Sequence, residues 1–391
     1  MRALRTIVVV LLVALGFLGG YFVGWYLHGE NVVRLSAGQA DAAKKAGDLQ
    51  QRIIEELQGR YYKSVNVDKL STAGVNGTLK SLNDPYTVYL SPTEMQHIRE
   101  TQSGQYSGIG AALEKAKQGL AITSVFAGSP AAKAGLKPGD VIVTVDGQPT
   151  AGAAIEASVA RIKGKEGTQV KLGVKPKAGG PVKTLDVVRR AIEFPETRSS
   201  MKHAGGEKVG YVQLFEFGGF ASRDVRRDVQ ALATRGAQAF ILDLRYNPGG
   251  LLGQAVDVTG IFQNGVVTST KGLHSPLEVL QTKDPVATDK PLVLLVNAYS
   301  ASASEIVTGA LKDHRRAEVI GMRTFGKGLV QTIISLGNGA ALKLTTAVYL
   351  TPNGTDINKK GIVPNIVVRD DPKTKKDEQL QAALKYLAGL K

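Results

Sequence analysis

The 391-residue chain contains no cysteine. That excludes disulfides, thiolate metal centres and a cysteine nucleophile. It leaves the redox compartment open, because an extracytoplasmic protein can do without disulfides. No run of five like charges occurs, and no basic stripe with interleaved aromatics, so a nucleic-acid partner is not expected. Histidine is scarce, with five residues (His28, His97, His203, His274 and His314), none in a motif that marks a catalytic base. No metal site and no cofactor is expected.

What is present is an ordinary globular composition, 43% apolar and 21% charged, which excludes a largely disordered chain. The length suits about two to three domains of ~100–200 residues. The 45 glycines point to many turns and close backbone approaches. The formal charge of +15 is spread out. Residues 28–103 are neutral, residues 104–190 carry +7 and residues 191–391 carry +6. Solvated surface charge is the plain reading of this pattern.

One long apolar run exists. Ile7 to Leu27 holds 21 residues without a charge, preceded by Arg2 and Arg5. At ~1.5 Å per residue it is long enough for a hydrocarbon core of about 30 Å. The arginines keep its start cytoplasmic, and Tyr21, Trp25 and Tyr26 suit the far interface. A cleavable signal peptide is the competitor, but Trp-Tyr-Leu-His-Gly-Glu is a poor cleavage site. Residues 1–30 are therefore expected to be a membrane anchor, with the remainder outside the cytoplasm.

Residues 31–103 read as helical, over Asp41–Leu57 and Lys69–Leu82, with Ser91-Pro92 opening a further helix. Residues 104–191 change to short strands (Leu120–Val125, Asp140–Val145, Thr168–Val174, Thr184–Arg190) with a capped turn of helix at Ser129 and a hairpin signal at Asp146-Gly147. A helix is expected over Ala153–Arg161. This stretch resembles a PDZ domain, on Gly128-Ser129-Pro130-Ala131-Ala132-Lys133-Ala134-Gly135-Leu136-Lys137-Pro138-Gly139-Asp140-Val141-Ile142 followed by Val145-Asp146-Gly147. The resemblance implies capture of a C-terminal carboxylate by the amides of Tyr106, Ser107, Gly108, Ile109 and Gly110, with Leu113 and Ile155 near the groove. From Lys208 the order is β-α-β. Strands are expected at Val209–Phe215, Ala239–Leu244 and Pro291–Val296, and helices at Ser222–Arg235 (with a Ser cap), Leu251–Phe262 and Glu305–Lys312.

Three segments in the region 192–370 carry chemistry. In Pro291–Asp313 a buried strand runs through Ser300, Ser302 and Ser304 into a helix. Amides at a helix N-terminus favour charge on an attacked carbonyl oxygen, but the pattern does not choose among the three serines. Lys327 lies between glycines in Gly326-Lys327-Gly328, with Phe325, Leu329 and Val330 to exclude water. Desolvation favours the neutral amine and makes it a proton acceptor. Gln331 falls four residues on, on the same side. Leu242–Leu252 contains Gly249-Gly250, whose amides suit an oxyanion.

Taken together, these segments resemble the carboxy-terminal processing, or tail-specific, serine proteases. Asn83-Asp84-Pro85-Tyr86-Thr87-Val88-Tyr89-Leu90, Tyr349–Gly354, Ile357 and Gly361–Pro364 extend the likeness. Lys359, where the family usually has Gly, and Asn365, where Asp is common, depart from it. The resemblance implies an α/β fold: a mixed-sheet protease core of the crotonase/ClpP-like ββα type with an inserted PDZ domain, closed by a helical segment at 371–391. It selects Ser302 as nucleophile, Lys327 as base and Gln331 as the residue orienting the lysine. It also implies an oxyanion hole from Ala303 and either Gly249 or Gly250, protein substrates with exposed apolar C-termini, and a homodimer through the helical region. The alternatives weighed are a catalytically silent PDZ scaffold or tail-binding chaperone, and an acyl-binding or hydratase-like enzyme. A carboxylate pair in the site, which these motifs lack, would mark the last.

Overall fold

The computed structural model describes residues 36–103, 105–193, 195–282, 285–369 and 376–390. The apolar run Ile7–Leu27 lies outside the described residues, and no described helix is long and apolar enough to cross a membrane. The chain divides into two compact units, residues 1–82 and 83–391.

In the first unit, Ala37–Arg60 and Val67–Lys80 are helices, and neither buries a residue. Sequence-local forces hold them. Ser36 and Gln39 form a reciprocal capping box, and Asn66 caps the second helix. Ion pairs one turn apart join Lys45 to Asp41 and Arg60 to Glu56. The expected helical region 31–103 is interrupted at Asn83. Val88–Leu90 is a strand that pairs antiparallel with Ala340–Leu350 in the second unit.

The PDZ stretch enters and leaves through one neck, where Gln105–Gly108 pairs antiparallel with Arg190–Glu193. Between them lies a sheet in the order Ala111–Ala116, Gly119–Val125, Val141–Val145, Gln169–Lys175, Lys183–Val188. The Asp146-Gly147 turn has positive φ at both residues, as a tight hairpin requires. Leu120, Ile122, Ile142, Val145, Val170 and Leu172 form the domain's own core. The helix expected at Ala153–Arg161 spans Ile155–Ile162.

The protease-like core has two sheets. The larger runs Thr197–Ala204, Glu207–Leu214, Ala239–Asp243, Leu292–Val296, Glu318–Gly321, Ile366–Val367. Its first pair is an antiparallel hairpin and the remaining pairs are parallel. Alternation along the strands serves two faces. Phe240, Leu242, Leu294 and Val296 pack towards the helices Ala221–Thr234, Leu252–Gly260 and Ala303–Asp313. Ile241, Val293 and Leu295 pack against Ala383 and Leu387 of the helix Glu378–Ala388. Each such apolar side chain, fully buried, stabilises the fold by about 1.5–3 kcal/mol. The second sheet is built on the long hairpin Leu329–Gly337/Ala340–Leu350, joined by Val88–Leu90, Gly265–Lys271 and Glu278–Thr282.

One local expectation changes, and the two departures from the family pattern find their places. The helix expected from a Ser222 cap starts at Ala221 after Phe220, which makes no side-chain cap bond. Lys359 adopts φ 59°, the left-handed region glycine would ordinarily fill, and its amide donates to the Gly326 carbonyl at 2.7 Å. Asn365 Oδ1 accepts from the Val319 amide at 3.2 Å, a role open equally to an aspartate.

Candidate active site

Two neighbouring parallel strands, Ala239–Asp243 and Leu292–Val296, release their chains side by side at their carboxyl ends. This is where α/β sheets place their sites. Asn297 ties the two loops, its Oδ1 accepting from the amides of Tyr246 at 3.1 Å and Tyr299 at 3.0 Å. The three serines then separate by role. Ser300 is fully buried, and its hydroxyl donates to the Leu244 carbonyl at 2.8 Å. Ser304 is fully buried, and its hydroxyl donates to the Asn247 carbonyl at 2.9 Å. Ser302 alone lines a cavity of about 350 Å³. Its backbone sits at φ 56°, ψ −116°, and it opens the helix Ala303–Asp313. Such a conformation costs a non-glycine residue about 1–3 kcal/mol and persists only when its surroundings enforce it. Here the bonds of Ser300 and Ser304 pin the chain on either side.

The two glycines also separate. Gly249 packs beneath the serine turn, where a Cβ would stand 2.7 Å from the Ser302 Cβ and 2.9 Å from the Ala303 nitrogen. Its N–H is already engaged by Asn247 Oδ1 at 2.9 Å. Gly250 lines the cavity with Ser302 and Ala303. It pairs with Phe217 through the flanking Gly249 carbonyl and Leu251 amide, a pattern that leaves its own N–H unused. Among the described residues, the Gly250 and Ala303 amides are the open donors at this turn.

Lys327 reaches the same cavity from the loop before the strand Leu329–Gly337. Burial holds its amine below the ordinary lysine range. The nearby Lys343 charge pushes in the same direction, and Glu305 opposes both. Lys327 Nζ lies 5.0 Å from the centre of the Tyr86 ring. That residue is delivered by the Asn83–Leu90 segment, where Asp84 accepts from the Tyr86 amide and the Thr87 hydroxyl, and Thr87 Oγ1 accepts from the Thr345 amide. The buried Tyr349 hydroxyl donates to the Lys327 carbonyl. Burial, reinforced by the Glu305 charge, holds this phenol well above its usual range, and a hydrogen bond with Ser302 acts the other way.

Gln331 lines the cavity, as its spacing from Lys327 implies. Its Nε2, however, donates to Thr345 Oγ1 at 3.5 Å. The remaining wall is apolar, from Ile98, Phe217, Leu252, Ile306, Leu329, Val330 and Ile333, with Glu216 and Lys343 as its charged members. In the PDZ stretch, Tyr106, Ser107 and Gly108 belong to the neck strand; the Tyr106 side chain is outside the described set. Ile109 is a core residue at 1% exposure, and its carbonyl accepts from the Ala131 amide at 2.7 Å. Gly110 takes φ 77° against Ser129, whose hydroxyl donates to its carbonyl at 3.1 Å. Leu113 and Ile155 are partly buried against the same core.

Sequence reasoning did not identify Tyr86, Glu305, Lys343 or Tyr349 as site residues. Tyr86, Glu305 and Tyr349 lay inside quoted motifs, but nothing in their spacing showed that strand pairing would bring Tyr86 and Tyr349 to Lys327, or that the Glu305 carboxylate would accept from the Gly326 and Lys327 amides. The described residues contain no cluster of side chains suited to a metal ion.

Comparison with known proteins follows the same division of the chain. Residues 208–368 match the family described as Peptidase family S41, and residues 96–175 match the PDZ domain. A relative named "Probable CtpA-like serine protease" from Staphylococcus aureus (strain MRSA252) is 39% identical over 329 residues, which is 83% of this chain and 64% of the relative. One of the same name from Staphylococcus haemolyticus (strain JCSC1435) is 38% identical over 315 residues, 79% of this chain and 62% of the relative. This chain thus spans less than two thirds of the length of these curated relatives. The solved structure of the photosystem II D1 C-terminal processing protease superposes with a TM-score of 0.51 at 27% identity, covering 88% of this chain and 94% of that one.

Proposed function

Since residues 208–368 make this chain a member of peptidase family S41 and residues 96–175 give it a PDZ domain, we propose that it is a serine endopeptidase working through a Ser302–Lys327 dyad. One observation carries the reading. Of three closely spaced serines, two are spent on buried backbone carbonyls, and the third shares a cavity with a lysine that burial holds towards its neutral form. Neutral Lys327 takes the Ser302 proton as Oγ attacks the scissile carbonyl. The oxyanion is held by the Gly250 and Ala303 amides, assisted by the positive end of the helix Ala303–Asp313. The lysine returns its proton to the leaving amine, and water then hydrolyses the acyl-enzyme. Tyr86 borders the amine and limits where it points, and Gln331 lines the same cavity. The apolar wall of Leu252, Ile306, Val330 and Ile333 suits an apolar substrate side chain.

In the same reading, the PDZ domain holds a substrate's C-terminal tail as an added strand, with its carboxylate at Ile109 and Gly110, where the neck strand Gln105–Gly108 ends. Residues 7–27 anchor the chain in the membrane with the catalytic unit outside the cytoplasm, supported by the Arg2 and Arg5 charges that precede them. A homodimer through the helical region is supported by Leu49, Ile53, Tyr62 and Val75, which are exposed on that unit. The test is cleavage of a protein substrate with an apolar, accessible C-terminus by wild type, Ser302→Ala and Lys327→Ala. Both variants lose cleavage while tail binding persists. Undiminished cleavage by either would refute the dyad, and absence of cleavage by the wild type on all such substrates would favour a tail-binding scaffold.

A further inference from the structure

We propose that Glu305 is a positioning residue of this dyad, its carboxylate bridging the backbone of the nucleophile to the backbone of the base. The inference rests on the Ser302–Lys327 reading and adds to it a part that neither side chain supplies. Glu305 stands at the third position of the helix Ala303–Asp313 and is fully buried. Its bond from the Ser302 amide, 2.9 Å to Oε2, is half of an ordinary capping box. A cap would end there. Instead, Oε2 also accepts from the Lys327 amide at 2.9 Å, and Oε1 accepts from the Thr324 hydroxyl at 2.6 Å and the Gly326 amide at 2.7 Å. One oxygen therefore joins the backbone nitrogens of nucleophile and base, and they can lie no further apart than twice 2.9 Å.

The surroundings leave this bridge little room to slip. Thr324 is held in turn by the Ile362 amide, which donates to its hydroxyl at 2.7 Å. Phe325 donates its amide to the Ser300 carbonyl at 3.0 Å. A Cβ on Gly326 would come within 2.9 Å of the Gly361 nitrogen, so the lysine loop is pressed onto its neighbour. All four groups facing the carboxylate are donors. An amide in its place would turn an NH2 towards one pair of them and lose its bonds to the backbone N–H groups on that side, the Thr324 hydroxyl alone being able to accept instead.

The carboxylate also acts through its charge. The charged or titratable groups around the lysine amine are Glu305 from the nucleophile helix, Lys343 and Tyr349 from the strand Ala340–Leu350, Tyr86 from the segment before Val88, and Glu216 across the cavity. Among those acting on Lys327, Glu305 favours the charged amine, whereas burial and Lys343 favour the neutral one. Its removal therefore has two effects: the dyad loosens, and the lysine deprotonates at lower pH.

Glu305→Gln, measured for kcat, KM and the pH dependence of kcat/KM on a cleaved protein substrate, separates these effects from a merely structural role. The expected result is a fall in kcat of about 10- to 100-fold, the scale of a small misplacement of reacting groups. KM stays near wild type, and the acid limb moves to lower pH. Thr324→Val removes one of the four bonds but keeps the charge. It lowers kcat less and leaves the limb in place, and it decides the matter if Glu305→Gln fails to fold. Wild-type kcat in Thr324→Val, or in a folded Glu305→Gln with an unmoved limb, overturns the proposal. Lys327→Ala, assayed alongside, isolates the premise: if it keeps activity the dyad itself fails, whereas if it is dead and Glu305→Gln is unchanged, only the positioning role fails.

Discussion

The most informative perturbation removes the strain at Ser302. Ser302 holds φ 56°, ψ −116°, a conformation that costs a residue with a Cβ about 1–3 kcal/mol. Glycine has no Cβ, so it occupies a conformation and its mirror image equally well. The mirror of this one, with both signs reversed, lies in the ordinary extended region. Ser302→Gly therefore releases the strain, less about 0.4–1 kcal/mol for the extra freedom of glycine in the unfolded chain. Ser302→Ala removes the same hydroxyl and keeps the strain. The comparison between the two isolates the backbone term, and Ser302→Gly is expected to be the more stable, by up to about 2.6 kcal/mol. Both variants are inactive. The assay is the urea midpoint of the transition that unfolds the helix Ala303–Asp313, with the slope unchanged between variants. A lower midpoint for Ser302→Gly would show that the turn is not strained, and the account of how Ser302 is held up to the cavity would fail.

Other consequences are equally direct. Lys327 is held below the ordinary lysine range, so kcat/KM rises with pH as its amine deprotonates. Lys343→Met removes a cation that favours the neutral form and moves that limb to higher pH; a limb that stays put or moves down contradicts the assignment. Gly250→Ala places a Cβ 2.3 Å from the Phe217 carbonyl oxygen at a φ of 145°, displacing the proposed oxyanion donor, and kcat is expected to fall by about 10²–10³. Arg245 joins the fully buried Asp243 at 2.7 Å to Asp377 at the start of the C-terminal helix. Arg245→Ala strands a buried carboxylate and should destabilise the core by about 3–5 kcal/mol in urea unfolding. Glu196 is pushed up to about 7 by burial, against hydrogen bonds from Phe220 and Gly218, with Asp224 and Glu216 adding to the rise. Because the folded state binds this proton more tightly than the unfolded one, stability falls as pH rises from about 4.5 towards 7. Glu196→Gln should flatten that fall, leaving stability near pH 5 little changed and raising it at pH 8 by about 1–3 kcal/mol.

Much of the site was legible where a motif is local. The strand-to-helix run through Ser300, Ser302 and Ser304, the glycine-flanked Lys327 and the Gly249-Gly250 turn each announce a type of chemistry. What spacing does not convey is which member of a repeated set faces the cavity. Ser300, Ser302 and Ser304 alternate at intervals of two, and the choice is made by carbonyls at Leu244 and Asn247, more than fifty residues away in the chain. The adjacent glycines are separated in the same way, by Asn247 Oδ1 engaging one N–H and leaving the other. Tyr86 and Lys343 were invisible because an antiparallel pairing across the chain brings them together, with Val88 opposite Lys343. The same pairing draws Val88–Leu90, within the region read as helical, into the protease-like sheet, while Pro92–Ser103 is a helix. The departures at Lys359 and Asn365 were visible in the sequence, and their local consequences became clear only from the structure: Lys359 takes the left-handed backbone that glycine would fill, and Asn365 accepts a bond that an aspartate could equally accept.

The central claim is that Ser302 is a nucleophile made reactive by Lys327. The direct measurement is the intact mass of the protein after treatment with a serine-reactive phosphonofluoridate, followed by mapping of the modified peptide. A single adduct per chain is expected, on the hydroxyl of Ser302, forming faster as pH rises and absent from both Ser302→Ala and Lys327→Ala. An adduct on Ser300 or Ser304, or labelling of Lys327→Ala at the wild-type rate, would contradict it.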